Sequence, residues 1–312
     1  TFSRLADRVF AVVGGLAQQM LTPAGQLLTL QEAARRVQLG LTAWNGLADK
    51  PELLGEALSL IDECKTCMVS PDALFRASEE SELDEDAALS AKLSDLAQLL
   101  TMYDSLCDES LPDPRDRLTR LRDGLAESCV LDGAEVYLDG FLSYTPQELA
   151  IIEVMVSLNV PLTAAVTCDT ELPDVFVTGC KTLRTLTRMA ERHDRRPEIV
   201  NLGASRLSRP AGLAAVAEEA LLPVRGTHED ASGVRLYEAA SPFDECEHAA
   251  AYIRRKVRDE GARYRDFVVA ARDIAPYSAS LAMAMGRYDI PMFLADKPDL
   301  LSRPPMALVM GA

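Results

Sequence analysis

The sequence lacks the short signatures from which a reaction can be read directly. It holds no HExxH pair, no GxSxG elbow, no Cys/His ligand cluster and no DxK-type nuclease core. Zincin and α/β-hydrolase chemistry are therefore not indicated. Aromatic residues are scarce at 5%, although an apolar content of 48% is enough for sizeable cores. Long apolar runs are missing. Residues 9–17 are apolar but too few to cross a bilayer, so no membrane partner is expected. Asp7 and the lack of an initiator Met speak against a signal peptide. The seven cysteines are scattered and odd in number, so the chain reads as reduced, intracellular and cytoplasmic. Cys64 and Cys67 form a lone CxxC on an acidic helical stretch. Without a second pair they read as helix-packing thiols, and no metal is assigned. Positive charge is also short: 32 Lys+Arg against 48 Asp+Glu leave a net −16. That excludes an all-over nucleic-acid coat but leaves room for a local basic track.

What is present is organised around residues 134–148, AEVYLDGFLSYTPQE. Val136, Tyr137 and Leu138 are a short run of strand formers bounded by Asp132-Gly133 and Asp139-Gly140. Thr145-Pro146-Gln147-Glu148 is a helix start. Thr145 can cap, Pro146 suits the first helical position and Glu148 can reach back to the Thr145 amide. In open parallel α/β sheets, ligands sit outside the carboxyl ends of strands. An Asp in that place is where nucleotide-bound Mg²⁺ is commonly held. The plain alternative is an ordinary strand-to-helix turn that contains an Asp.

On either side the chain alternates patterns. Residues 1–13 predict a helix with Leu5, Val9, Val12 and Val13 as its apolar line, and with Arg4 and Arg8 one turn apart. Thr22-Pro23 starts another helix. Residues 52–109 are strongly acidic, with only Lys65, Arg76 and Lys92 as bases, and read as an all-helical insertion in which 79–86 is a loop. Arg115, Arg117, Arg120 and Arg122 precede the central strand. Residues 161–167 read as a second buried strand, completing a βαβ unit. The helix over 181–193 is the most asymmetric. Lys181, Arg184, Arg188 and Arg192 share one side, and Leu183, Leu186, Met189 and Ala190 lie on the other. The basic side is a solvated face or a track for a phosphate backbone. Residues 201–232 read as a linker. A second α/β unit then follows, with strands expected at 234–239, 266–272 and 288–294, a helix capped by Ser241, and Arg272 at the end of its middle strand.

Four of these stretches, in order, carry a resemblance. TFSRLADRV resembles motif Ia of superfamily 1 helicases, which touches single-stranded DNA. VYLDGFLSYTPQE sits where motif II lies, YRDFVVAAR resembles motif IV, and YDIPMFLADKPDLLSRP resembles the segment after it. Together they resemble the B subunits of AddAB-type ATP-dependent helicase–nucleases, bacterial complexes that resect double-strand breaks for recombination. The resemblance implies an α/β fold. It would comprise a first RecA-like domain (1–20 and 126–200) with a helical insertion (21–125), a linker (201–232), and the start of a second RecA-like domain (233–312). It implies DNA, single-stranded and at duplex ends, and an A subunit as partners. ATP and Mg²⁺ would belong to the full-length protein, and a 4Fe–4S cluster to a part outside this chain, which then reads as a piece of a longer protein.

The departures from the pattern shape the functional expectation. An active motif II reads Asp-Glu, whereas this chain has Asp139-Gly140, and the missing Glu is the base that polarises the attacking water. In the motif III position Leu172 replaces the Gln that senses the γ-phosphate, and no GxxxxGKS/T loop is present. No catalytic residue is therefore assigned here. The resemblance carries DNA-channel roles onto Phe2, Ser3, Arg4 and Phe141, and degenerate nucleotide-binding roles onto Asp139 and Arg272. The basic side of the 181–193 helix adds Arg184, Arg188 and Arg192 as phosphate contacts. Asp7 stands where the family form has a Trp. The expected function is DNA scanning and hotspot recognition with a degenerate motor. The alternatives are an ATP-hydrolysing superfamily 1 helicase and a helical adaptor with no nucleic-acid role.

Overall fold

The computed structural model describes residues 1–312 except 84–85, 108–110, 203–208, 221, 223–225, 296–303 and 312. It divides into two compact units, Thr1–Gly203 and Ala204–Ala312. Among the described residues no helix is long and apolar enough to cross a membrane.

The first unit contains two hydrophobic cores. One belongs to four helices, α2 (Pro23–Val37), α3 (Pro51–Thr66), α4 (Pro71–Leu83) and α5 (Ala87–Leu106). Leu30, Ala33, Leu54, Ile61, Leu96, Leu100 and Tyr103 fill it. Each large side chain so buried contributes roughly 1.5–3 kcal/mol relative to exposure. Thr22 caps α2, its hydroxyl accepting from the Gly25 amide at 3.1 Å. The buried Asp95 carboxylate accepts from the amides of Thr42 (3.0 Å) and Trp44 (2.9 Å), which fixes the turn after α2. α2 ends at Val37, just before that turn. The acidic 79–86 stretch was expected as a loop, but α4 continues through Leu83. Ser78 donates to the Ser90 carbonyl at 2.9 Å and holds α4 on α5, while the carboxylates stay on the wet side. Residues 84–85 of that stretch lie outside the described residues.

The second core gathers sequence from both sides of the helical block. α1 (Phe2–Val13) packs with α6 (Arg117–Ser128), α7 (Pro146–Ser157), α8 (Val177–Arg192) and strands β1 (Val136–Leu138) and β2 (Leu162–Ala164). The buried line of α1 is Phe2, Ala6, Val9 and Phe10, whereas Val12 and Val13 are exposed. β1 and β2 pair in parallel, with Val136 opposite Leu162 and Leu138 opposite Ala164. Leu138 faces the core and Tyr137 faces out, as the period of two requires. Thr145 and Glu148 form the expected capping box. The Thr145 hydroxyl accepts from the Glu148 amide (3.3 Å), and the Glu148 carboxylate accepts from the Thr145 amide (2.8 Å).

One buried cation ties the two cores together. Lys65 of α3, with its side chain 7% exposed, lies 2.7 Å from Asp104, 2.8 Å from Asp116 and 3.8 Å from Asp113. Burial alone would lower its pKa, but the hydrogen bonds to Asp104 and Asp116 reverse that and raise it. The fully buried Asp113 also accepts from Gln26 Nε2 and from the Arg115 amide. α2, α3 and α5 are thus fastened to the segment that enters α6.

The second unit holds α9 (Ala211–Glu219), α10 (Pro242–Glu260), α11 (Ser278–Arg287) and α12 (Pro304–Gly311). The expected linker 201–232 therefore contains a helix. Ser241 caps α10, accepting from the Asp244 amide at 3.2 Å. The three strands expected at 234–239, 266–272 and 288–294 are not formed among the described residues. Residues 264–266 are a 3-10 turn instead, and the middle segment is not buried. The strand pattern survives as alternation without a ladder. Phe267 and Leu294 pack on the α10–α11 core, whereas Val268 is 89% and Phe293 92% exposed. A strand needs ladder hydrogen bonds from a neighbouring strand, and these segments form none among the described residues. The last part of YDIPMFLADKPDLLSRP, 296–303, lies outside the described residues.

Candidate nucleic-acid interface

The site is built where β1 ends. Asp139 and Gly140 follow the strand and are exposed. Gly140 has φ +79°, a left-handed conformation that costs an L side chain roughly 1–2 kcal/mol. The glycine in place of the motif II glutamate is thus built into the turn.

The turn then delivers Phe141 onto α1. The Phe141 ring meets the Phe2 ring edge to face, with centroids 5.8 Å apart. Its own face stacks on Tyr144 at 4.9 Å. Phe2 is 9% exposed and belongs to the core. It is a floor under Phe141, not an open ring for a base, and Phe141 is half-buried. Burial, and then the charge of Glu148, push the Tyr144 pKa up. Its hydroxyl is buried with no hydrogen-bond partner among the described residues.

Beside this aromatic cluster the polar face of α1 turns outward. Ser3, Arg4, Asp7 and Arg8 are exposed. Asp7 is not a bare acid, because Arg117 of α6 donates to its carboxylate. Arg117 and Arg120 also lie over the Phe10 ring, 5.4 and 5.3 Å from its centroid. The arginine-rich approach to β1 was visible in the sequence, but its pairing with Asp7 was not.

α8 closes the other side. Thr182 donates to the Leu142 carbonyl at 3.1 Å, which binds the start of α8 to the β1 turn. Its basic side is exposed as expected, with Lys181, Arg184, Arg188 and Arg192 all outward. The three arginines are not equivalent. Arg192 pairs with Glu153 of α7 at 3.1 Å. Arg184 Nε donates to the Cys180 carbonyl at 3.2 Å, and Arg188 has no ion pair among the described residues. A shallow groove runs along Thr185, Arg188, Glu191 and Arg192.

Phe2 and Phe141 are thus in ring contact, and Thr182 ties the start of α8 to the same turn, while Ser3, Arg4, Asp139 and Arg184 are exposed. Arg272 is exposed in the second unit, after the 267–271 segment. The Cys64-Cys67 pair splits, with Cys64 packed in the helical core and Cys67 exposed. Among the described residues no group of three or more His, Cys, Asp or Glu could hold a metal.

A helix-rich α/β chain with a small parallel sheet, whose first strand ends in an aromatic cluster against α1, is the class these observations define. The chain belongs to the AddB family: the family model described as "ADDB, N-terminal" matches residues 1–215. Three similar proteins are each named as the B subunit of an ATP-dependent helicase/deoxyribonuclease. That of Desulforudis audaxviator is 30% identical over 322 residues, covering 100% of this chain and 28% of its own length. That of Acetivibrio thermocellus is 28% identical, again over 100% of this chain and 28% of its own length. That of Thermoanaerobacter sp. (strain X514) is 27% identical, over 97% of this chain and 27% of its own length. The chain thus spans little more than a quarter of these relatives.

Proposed function

We propose that this chain is the DNA-contacting part of a helicase–nuclease B subunit that works with an A subunit on broken DNA ends, and that its own motor is degenerate. The observation that carries the reading is the contact between Phe2 and Phe141. It joins the motif Ia-like and motif II-like stretches at one strand edge, beside the exposed Arg4. A single strand would run along this edge, its phosphates held by Arg4 and by Arg184 and Arg188, with Phe141 offering what remains of its ring to a base. Asp139 would be a remnant of a nucleotide site, and Arg272 its counterpart in the second unit. The ATP-hydrolysing alternative is disfavoured by Gly140, whose φ of +79° would cost a glutamate roughly 1–2 kcal/mol.

We draw the domains as a first RecA-like domain (1–20 and 126–200) with a helical insertion (21–125), a linker (201–232) and the start of a second RecA-like domain (233–312). Two separate cores in the first unit support the insertion, although α6 packs with the outer core. ATP, Mg²⁺ and a 4Fe–4S cluster, where present, belong to the rest of the protein.

The test is equilibrium binding of single-stranded DNA by the full-length protein with its partner, in salt low enough to keep phosphate contacts. Binding that survives Asp139→Ala but drops with Arg4→Ala supports the reading. Binding indifferent to Arg4, Arg184 and Arg188 would return the chain to an adaptor role.

A further inference from the structure

Two thiols on the same edge are left over from the DNA reading. Cys168 lies in the loop after β2 and Cys180 in the first turn of α8. Their Sγ atoms are 3.1 Å apart. Sulfurs that are merely packed stay farther apart than this, and a bond would bring them to about 2.05 Å. The approach is imposed by the backbone. A Cβ on Gly179 would lie 2.0 Å from the Thr167 carbonyl oxygen, so only glycine lets α8 press against the residue before Cys168. Cys180 Sγ also donates to the Asp169 carbonyl at 3.4 Å. Cys180 is 4% exposed, whereas Cys168 is half-buried and open to reagents.

We propose that Cys168 and Cys180 are a redox-active dithiol, a modification site for a small disulfide oxidant such as oxidised glutathione. The accessible Cys168 loses its proton and attacks one sulfur of the oxidant. A mixed disulfide forms and the first glutathione leaves as a thiolate. Cys180 then loses its proton and attacks Cys168 Sγ, and the second glutathione leaves. Two protein thiols are oxidised and one glutathione disulfide is reduced to two thiols, which take up the two protons. In a reducing compartment such a bond is transient.

The consequence is local and mechanical. The bond would clamp the β2 loop to α8 one turn before Arg184 and two residues before Thr182, which holds the β1 turn. Oxidation would therefore act on the same edge as the proposed DNA track. The thiol chemistry stands whether or not that track binds DNA.

The experiment poises the full-length protein in glutathione buffers of increasing oxidation, quenches in acid and alkylates the remaining thiols. No Lys or Arg lies between Cys168 and Cys180, so trypsin cannot separate them. Cleavage at Asp169, Glu171 or Asp174 can. The expected product is a linked pair of peptides containing Cys168 and Cys180, lighter by two hydrogens than the free pair. Cys168→Ser should leave Cys180 alkylatable throughout, and Cys180→Ser should trap glutathione on Cys168. If wild-type Cys168 carries glutathione while Cys180 stays free, the proposal fails. It fails equally if only the exposed Cys67 and Cys129 react. The wild-type peptides decide even where Cys180→Ser does not fold.

Discussion

Phe141 meets Phe2 edge to face, at an interplanar angle of 63°, and stacks on Tyr144 at 29°. The turn after β1 is thereby seated on α1 by three rings. Phe141→Ala should cost about 2 kcal/mol of stability, less than the 3–5 kcal/mol of a fully buried ring. Phe141→Leu keeps most of the packing and should cost under about 1.5 kcal/mol. If the ring also meets a base, both variants should weaken single-strand binding, by up to about 1–3 kcal/mol. Urea unfolding and fluorescence binding separate the two effects. Normal DNA binding by Phe141→Leu would make the residue purely structural.

The arginines of α8 should differ in their salt response. Arg184→Ala with Arg188→Ala should flatten the slope of log K against log salt by roughly one to two units, near 0.7–0.9 for each lost contact. Arg192→Ala should change it less, because its guanidinium is already held by Glu153. Equal slopes for wild type and the double variant would make the basic side a solvated face.

Gly140→Glu restores the acidic pair of an active motif II in sequence only. The left-handed backbone at φ +79° should make it cost roughly 1–2 kcal/mol, and Gly140→Ala the same. No DNA-stimulated ATP hydrolysis should appear in the Gly140→Glu protein assayed by itself. Turnover would show that the turn can rearrange into a working site.

Lys65→Met should strongly destabilise the helical block. It leaves Asp113, fully buried, and Asp116 without their cation. The expected loss is about 3 kcal/mol, the lower end for breaking a buried pair, because Asp104 and Asp116 are partly exposed. Thermal melts of the variant alongside a surface control such as Lys92→Met measure it.

Burial, and then the neighbouring Cys180 thiol, push the Cys168 pKa from the ordinary 9.0 up to about 11. A raised thiol pKa means that the folded chain holds its proton longer than the unfolded one. The contribution to stability is present below pH 9.0 and is lost as pH rises through about 11. Urea midpoints between pH 8 and 11 should fall more in wild type than in Cys168→Ser. Alkylation of native Cys168 should still be accelerating at pH 10, since the thiolate is the reacting form.

Sequence alone determined the features whose physics is local. Thr145 and Glu148 form their capping box because both partners lie within one turn, and Val136 to Leu138 is a strand where its apolar run and bounding glycines put it. The basic side of α8 follows from helical spacing, and the four ordered motifs sufficed for the family. Tertiary structure decided whatever needed a partner distant in the chain. The segments around Val268 and Phe293 keep the strand alternation but form no ladder among the described residues, because a ladder is made by a neighbour and not by propensity. Arg117 on Asp7, Glu153 on Arg192, Cys168 against Cys180 and Phe2 beneath Phe141 were equally invisible. A side chain's own sequence neighbourhood sets its chemistry. Only packing sets what that chemistry meets, and whether a ring or a charge is left free to meet anything else.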